Sequence, residues 1–358
     1  MVSRLMSKFR MKFFVSSFLF LIIVLPVDAQ LGSSYSYAFL KLAPSARITA
    51  LGEYNVSIMD KDASVQLANP SALNPLMHGQ LTINQGISPG GMNFGNFSYT
   101  HDFKKAGTYG FGVQYMAYGN IPTTDENANI TGSMSPADVA IYGGGSYKFG
   151  KLFGVGANLR LITSSLASNT SVGMSADFAA SVKDPKEIVF FSLVARNVGG
   201  QLKGYTAGTY EPIPFNLQAG LSFGFKELPL RFHFNFHDLT NWNIRYSNPA
   251  DQTNTNLFED STTAKKKSFG GDEFFRHVVI GVEANIKKIV FIDFAYNHQR
   301  RMEHKQDTRR GLAGFSFGLG VRVKQFAFHA GLTALPLKQT QGHLTLSVNT
   351  AGFVKKKQ

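Results

Sequence analysis

The sequence predicts an all-β fold: a transmembrane antiparallel barrel of about fourteen strands, preceded by a plug-like segment with a short helix. Three observations predict it. Segments on the order of ten residues alternate apolar and small or polar side chains along most of the chain. The connections between them alternate between short and long. Finally, 32 Phe, 13 Tyr and 35 Gly occur in 358 residues without a single Cys, a composition that suits strands and excludes disulfides and thiolate–metal sites.

The N-terminus reads as a leader. "MSKFRMKFF" is basic, "VSSFLFLIIVLPV" is an apolar run too short for a comfortable span, and "VDA" supplies small residues before Gln30. A signal peptide over 1–29, cut after Ala29, is therefore expected, and the absence of Cys after the apolar run excludes a lipoprotein. The net charge of +13 includes +3 in this leader, so +10 remains on the exported chain. No basic helix face is evident and export argues against nucleic acid. Basic residues at strand ends beside anionic lipid are the expected use of this charge.

Residues 30–78 break the strand pattern. "KLAPSARITALGEYNVSIMDKDASVQLANPSAL" begins extended, then offers Asp62 as the N-cap of a short helix over "ASVQLA" that ends at Asn69-Pro70. The apolar residues Leu51, Val56, Ile58, Val65, Leu67 and Leu73 suggest packing inside a lumen rather than a loose leader.

Residues 79–358 form the predicted barrel. Strands are expected near 79–86, 93–101, 108–117, 137–148, 152–163, 173–183, 187–198, 215–224, 229–238, 275–285, 289–298, 313–323, 325–334 and 342–351. In "GFSFGLGVRVK", Phe315, Phe317, Leu319, Val321 and Val323 share one face, and the opposite face is almost bare. The apolar face suits lipid, and the glycine face suits a tightly filled interior. Connections after even-numbered strands are short: "DFKKAG", "FGK", "DPK", "FKEL", "KKI" and "KQ". Those at 118–136, 164–172, 199–214, 239–274 and 299–312 are mostly longer, as in outer-membrane barrels with periplasmic turns and external loops. An even strand count returns both termini to the periplasm.

"SARITALGEYNVSIMDKDASVQLANPSAL", with the closing strands "RRGLAGFSFGLGVRVKQFAFHAGL" and "HLTLSVNT", resembles the FadL-like outer-membrane barrel superfamily, and within it the PorQ and PorV proteins of the type IX secretion system. The resemblance runs over the whole mature chain. It implies no enzyme and no cofactor. It implies an outer-membrane component that holds a PorZ-like surface protein, in an attachment complex with a PorU-like sortase and a PorV-like barrel that links cargo to lipopolysaccharide. The fatty-acid branch of the same superfamily implies the alternative, transport of hydrophobic compounds.

Catalytic and metal sites find little support. His233 and His237 share an inward face about 13 Å apart along a strand, too far to ligate one ion. "NHQRRMEHKQDTRR" sets His298, Glu303, His304 and Asp307 among five basic residues, which repel a cation. "IYGGGSYKFG" lacks the Lys-Ser/Thr of a phosphate-binding loop. The partner-binding candidates lie in the long loop 239–274: Trp242, Arg245 and Tyr246, of types enriched in binding hot spots, and Lys265, Lys266 and Lys267, which suit phosphates or plain solvent; loops 118–136 and 199–214 are further candidates for a protein contact. Trp242 equally suits an interfacial aromatic anchor.

Overall fold

The computed structural model describes residues 35–244, 271–303, 311–335 and 339–353. The leader 1–29 lies outside them. Fourteen antiparallel strands close into one barrel: β1 (Gln80–Ile87), β2 (Asn93–Asp102), β3 (Thr108–Ala117), β6 (Ala137–Phe149), β7 (Phe153–Leu166), β8 (Asn169–Lys183), β9 (Val189–Lys203), β10 (Asn216–Gly224), β11 (Leu230–Phe236), β12 (Val278–Ile286), β13 (Val290–Asn297), β14 (Phe315–Val323), β15 (Phe326–Ala334) and β16 (Thr340–Asn349). A separate hairpin, β4 (Ile121–Thr124) with β5 (Ile130–Met134), rises from the connection between β3 and β6. Closure comes from β1 pairing with β16, Gln80 opposite Asn349, so no strand edge is left to lipid.

The wall obeys the period of two. On β14, Phe317, Leu319, Val321 and Val323 are exposed to the outside, whereas Ser316 is buried. Aromatic pairs such as Phe294–Phe317, 5.2 Å between centroids, tile the outer surface across neighbouring strands.

Two features differ from the sequence expectation. The connection expected over 164–172 is mostly strand: β7 and β8 pair out to Leu166 and Asn169, leaving only Ala167 and Ser168 between them. Strands β7, β8 and β9 have 14, 15 and 15 residues, beyond the roughly 9–11 that a tilted strand needs to cross hydrocarbon. Past the bilayer nothing demands apolar alternation, so "TSSL" and "NTS" on either side of the turn pair as strand without showing it.

The second difference lies in 35–78. The α-helix of this segment is α1 (Ala46–Ala50), with Ser45 as its N-cap. Asp62 does cap, accepting from the Ser64 amide at 3.1 Å, but only a single 3-10 turn, Ala63–Val65, follows. Pro70 disfavours helix at Asn69, and that side chain instead caps a further turn by accepting from the Ser71 amide. The barrel's own ends, at Gly79 and Thr350, meet at the short-turn end through a Thr350 N–H to Gly79 carbonyl bond of 2.7 Å. The segment before it threads the lumen lengthwise. Ser36 donates its amide to the Pro212 carbonyl among the long loops, so the chain enters at the loop end rather than beside the C-terminus.

Candidate functional site

Residues 35–78 form a plug that reaches every strand of the wall. Its backbone and side chains bond to Gln80 (β1), Asn96 (β2), Gly110 (β3), Ser146 (β6), Asn158 (β7), Ser171 (β8) and Ser192 (β9). Around the rest of the circle it bonds to Asn235 (β11), Glu283 (β12), Asn297 (β13), Thr333 (β15) and Thr345 (β16). On β10 and β14 the contact is steric. A Cβ at Gly220 would stand 2.8 Å from Val56 Cγ2, and one at Gly318 would stand 2.3 Å from Ala50 Cβ. At Gly318 and Gly220 the inner face is bare because the plug lies against it, whereas a Cβ at Gly320 would meet the His329 ring at 2.3 Å. On β15, α1 rides so close that a Cβ at Gly331 would come within 2.2 Å of the Ala46 carbonyl oxygen.

Ion pairs pin the plug in this low-dielectric interior. Arg47, on α1 and 2% exposed, donates through Nε to Glu283 Oε2 at 2.7 Å and through Nη1 to Asp60 and Asp62 at 2.8 and 3.2 Å. Its guanidinium also lies 5.4 Å from the Phe291 ring centre. Burial raises the Asp62 carboxyl, but the charges of Arg47, His329 and Arg322 and the bond to Ser64 together outweigh it and hold the group down at about 2. A second pair, Arg160 with Asp177, is wholly within the wall; Arg160 also donates to Asn197 Oδ1 at 2.8 Å. None of these charges had a partner legible in the sequence, although Arg47, Arg160, Asp177 and Glu283 each stand in an otherwise apolar or small-residue neighbourhood.

At the loop end the plug merges with the external surface. Tyr37 shares a hydrogen bond with Ser171 at 2.6 Å and packs with Phe39, Leu40, Phe94, Met116 and Ile213. Ser36 donates to Glu211, and Arg300 pairs with Glu53. Tyr54 stacks on His237 at 3.9 Å, nearly parallel. Burial pushes His237 below its usual value, against the pull of Asp238, whose Oδ2 lies 2.8 Å from Nδ1. His277 contacts the His237 carbonyl through Nδ1 at 2.9 Å, and its ring meets Trp242 edge-on at 4.8 Å.

Of the partner-binding candidates, Trp242 is placed: half-exposed at this rim and joined through His277 and His237 to the plug residue Tyr54. Arg245, Tyr246, Lys265, Lys266 and Lys267 lie outside the described residues. His233 faces the lumen and meets Ser57 Oγ at 3.2 Å. His298 sits 3.1 Å from Asp272 across helices α2 (Gly271–Arg276) and α3 (His298–Glu303), while His304 and Asp307 lie outside the described residues. Among the described residues no group of three or more His, Cys, Asp or Glu is arranged to hold a metal. Ile130 and Tyr210 stand exposed on the candidate loops 118–136 and 199–214, and Leu312 is exposed on a further loop-end connection.

Solved structures share this architecture. The toluene transporter TodX of Pseudomonas putida is similar over 86% of this chain and 96% of its own, at 11% identity and a TM-score of 0.52. A TodX deltaS2S3 mutant monoaromatic hydrocarbon channel matches over 85% of this chain and 98% of its own, at 12% identity and a TM-score of 0.50. A Pseudomonas aeruginosa FadL homologue is a looser likeness, at 10% identity over 86% and 98% of the two chains and a TM-score of 0.46. The fold is the closed antiparallel barrel that the TodX structures also show. No protein-family model and no curated protein sequence matches the chain. At such identities the likeness describes architecture alone.

Proposed function

We propose that this barrel works through its outer rim rather than its lumen, as a non-enzymatic component of a type IX secretion system that holds a PorZ-like surface protein. One observation carries the reading: a single segment contacts all fourteen strands and is anchored there by buried charge. A lumen so occupied suits a scaffold better than a conduit. The rim offers what a protein partner needs, with Trp242, Tyr210, Ile130 and Leu312 exposed on connections tied to a rigid core. The sequence resemblance to the PorQ branch supports the same role, and with it a PorU-like sortase, a PorV-like barrel and lipopolysaccharide as neighbours.

The fold comparisons favour a second reading, transport of hydrophobic compounds, since TodX is a toluene transporter. A plug and a transport role are compatible if the plug moves or the wall opens. Deletion of the gene in its own host separates the two. Loss of surface attachment of sorting-domain cargo, with hydrocarbon and fatty-acid uptake intact, supports the scaffold; lost uptake with normal cargo attachment supports transport and sinks the scaffold.

A further inference from the structure

The short turns at the closed end of the barrel share one chemistry. Each of the six carries exposed lysine: Lys104 and Lys105, Lys151, Lys186, Lys226, Lys287 and Lys288, and Lys324. Their acidic residues are fewer, Asp102, Asp184, Glu187 and Glu227. The turns are evenly spread around a closed circle, so the lysines form a ring rather than a patch on one side.

The backbone sets this ring apart from incidental surface charge. In the β12–β13 turn, Ile289 donates its amide to the Ile286 carbonyl at 3.0 Å, and the two central residues, Lys287 and Lys288, have φ of 52° and 58°. This is a type I′ turn, which strongly prefers Asn-Gly. Lys104 and Lys324 also sit at positive φ, 56° and 51°. Four of the eight lysines thus occupy left-handed positions where another residue would fold with less strain, as does Glu187 in the β8–β9 turn at 59°.

Directly beside the ring lies an aromatic girdle. Phe103 packs on Tyr109, Tyr147 on Phe149, and Phe326 on Phe353, with centroids 5.6, 5.0 and 5.9 Å apart. On the outer wall next to the β10–β11 turn there is an open apolar groove of about 720 Å³, lined by Val189, Leu221, Phe223, Phe225 and Leu228, with Lys226 and Glu227 at its edge.

The geometry points to a ring that binds the phosphate headgroups of anionic phospholipid in the leaflet at the turn end, with the groove below Lys226 seating an acyl chain. A circular array at girdle height matches a planar annulus of headgroups around the barrel, which a globular partner on one side would not fill.

The test is native mass spectrometry of the full-length protein in mild detergent with added phosphatidylglycerol or phosphatidylethanolamine. The wild type is expected to retain phosphatidylglycerol at least several-fold over phosphatidylethanolamine. Replacing Lys104, Lys105, Lys151, Lys186, Lys226, Lys287, Lys288 and Lys324 with Gln should remove that preference. Because so many changes could disturb folding, the Lys287→Asn/Lys288→Gly pair is the second variant: it should melt at a higher temperature than the wild type and yet retain less phosphatidylglycerol. Equal retention of the two lipids by the wild type overturns the proposal. So does undiminished phosphatidylglycerol retention by the substituted proteins, including the case in which they lose an acidic periplasmic protein instead.

Discussion

At the residue scale, the inner face of the wall is governed by close approach. Gly331→Ala would push a methyl group to within 2.2 Å of a backbone carbonyl, which no rotamer can relieve. Overpacking of this kind costs about 1–3 kcal/mol. We expect a lower melting temperature and faster proteolysis within residues 35–78, whereas Gly200→Ala, where a Cβ would meet nothing within 4 Å, should change neither. The Arg47 cluster gives a second expectation. Arg47→Met would strand Glu283, Asp60 and Asp62 without their cation, and unfolding titrations should show a loss of about 3–5 kcal/mol. The pH dependence follows from Asp62. Its folded-state value of about 2 lies below the ordinary 3.8, so its contribution is fully present above pH 4 and is lost as pH falls towards 2. That contribution is about 2 kcal/mol. Asp62→Asn should remove this component of acid sensitivity while lowering stability at neutral pH; an unchanged acid profile would contradict the pairing.

At the scale of elements, legibility in the sequence followed the membrane. All fourteen wall strands could be read because hydrocarbon on one side and a packed interior on the other force a period of two. Where β7, β8 and β9 leave the bilayer, that constraint ends, and Asn169 to Val172 looked like loop although it pairs as strand. The plug was legible as packed but not as shaped. Helix α1 has only five residues, too few for periodicity, and is held by tertiary contacts at Gly331 and Thr345 rather than by propensity. Trp242 was recognisable by type, while its link to Tyr54 through His277 and His237 depends on strand ends distant in sequence. Turn chemistry supplies the prediction at this scale. In Lys287→Asn/Lys288→Gly, relief of two left-handed lysines should add roughly 1 kcal/mol, measurable as a shift in the urea midpoint.

At the scale of the whole molecule, the plug makes barrel and interior one body. Contacts to fourteen strands from one segment mean that clearing the lumen requires breaking the Arg47 pairs, the α1–β15 packing and the Tyr37 cluster together. Reconstituted in planar bilayers, the wild-type barrel should therefore show no steady conductance, and Arg47→Met should show intermittent openings. A large steady conductance in the wild type would mean that the plug leaves the lumen readily. The most direct test of the scaffold itself is purification of the tagged chain from its own outer membranes in mild detergent, with mass spectrometry of what accompanies it. A PorZ-like surface protein, lost when Trp242 and Tyr210 are changed to Ala together, is the expected result. A lone barrel carrying a bound hydrophobic compound would contradict the scaffold and establish the transport reading in its place.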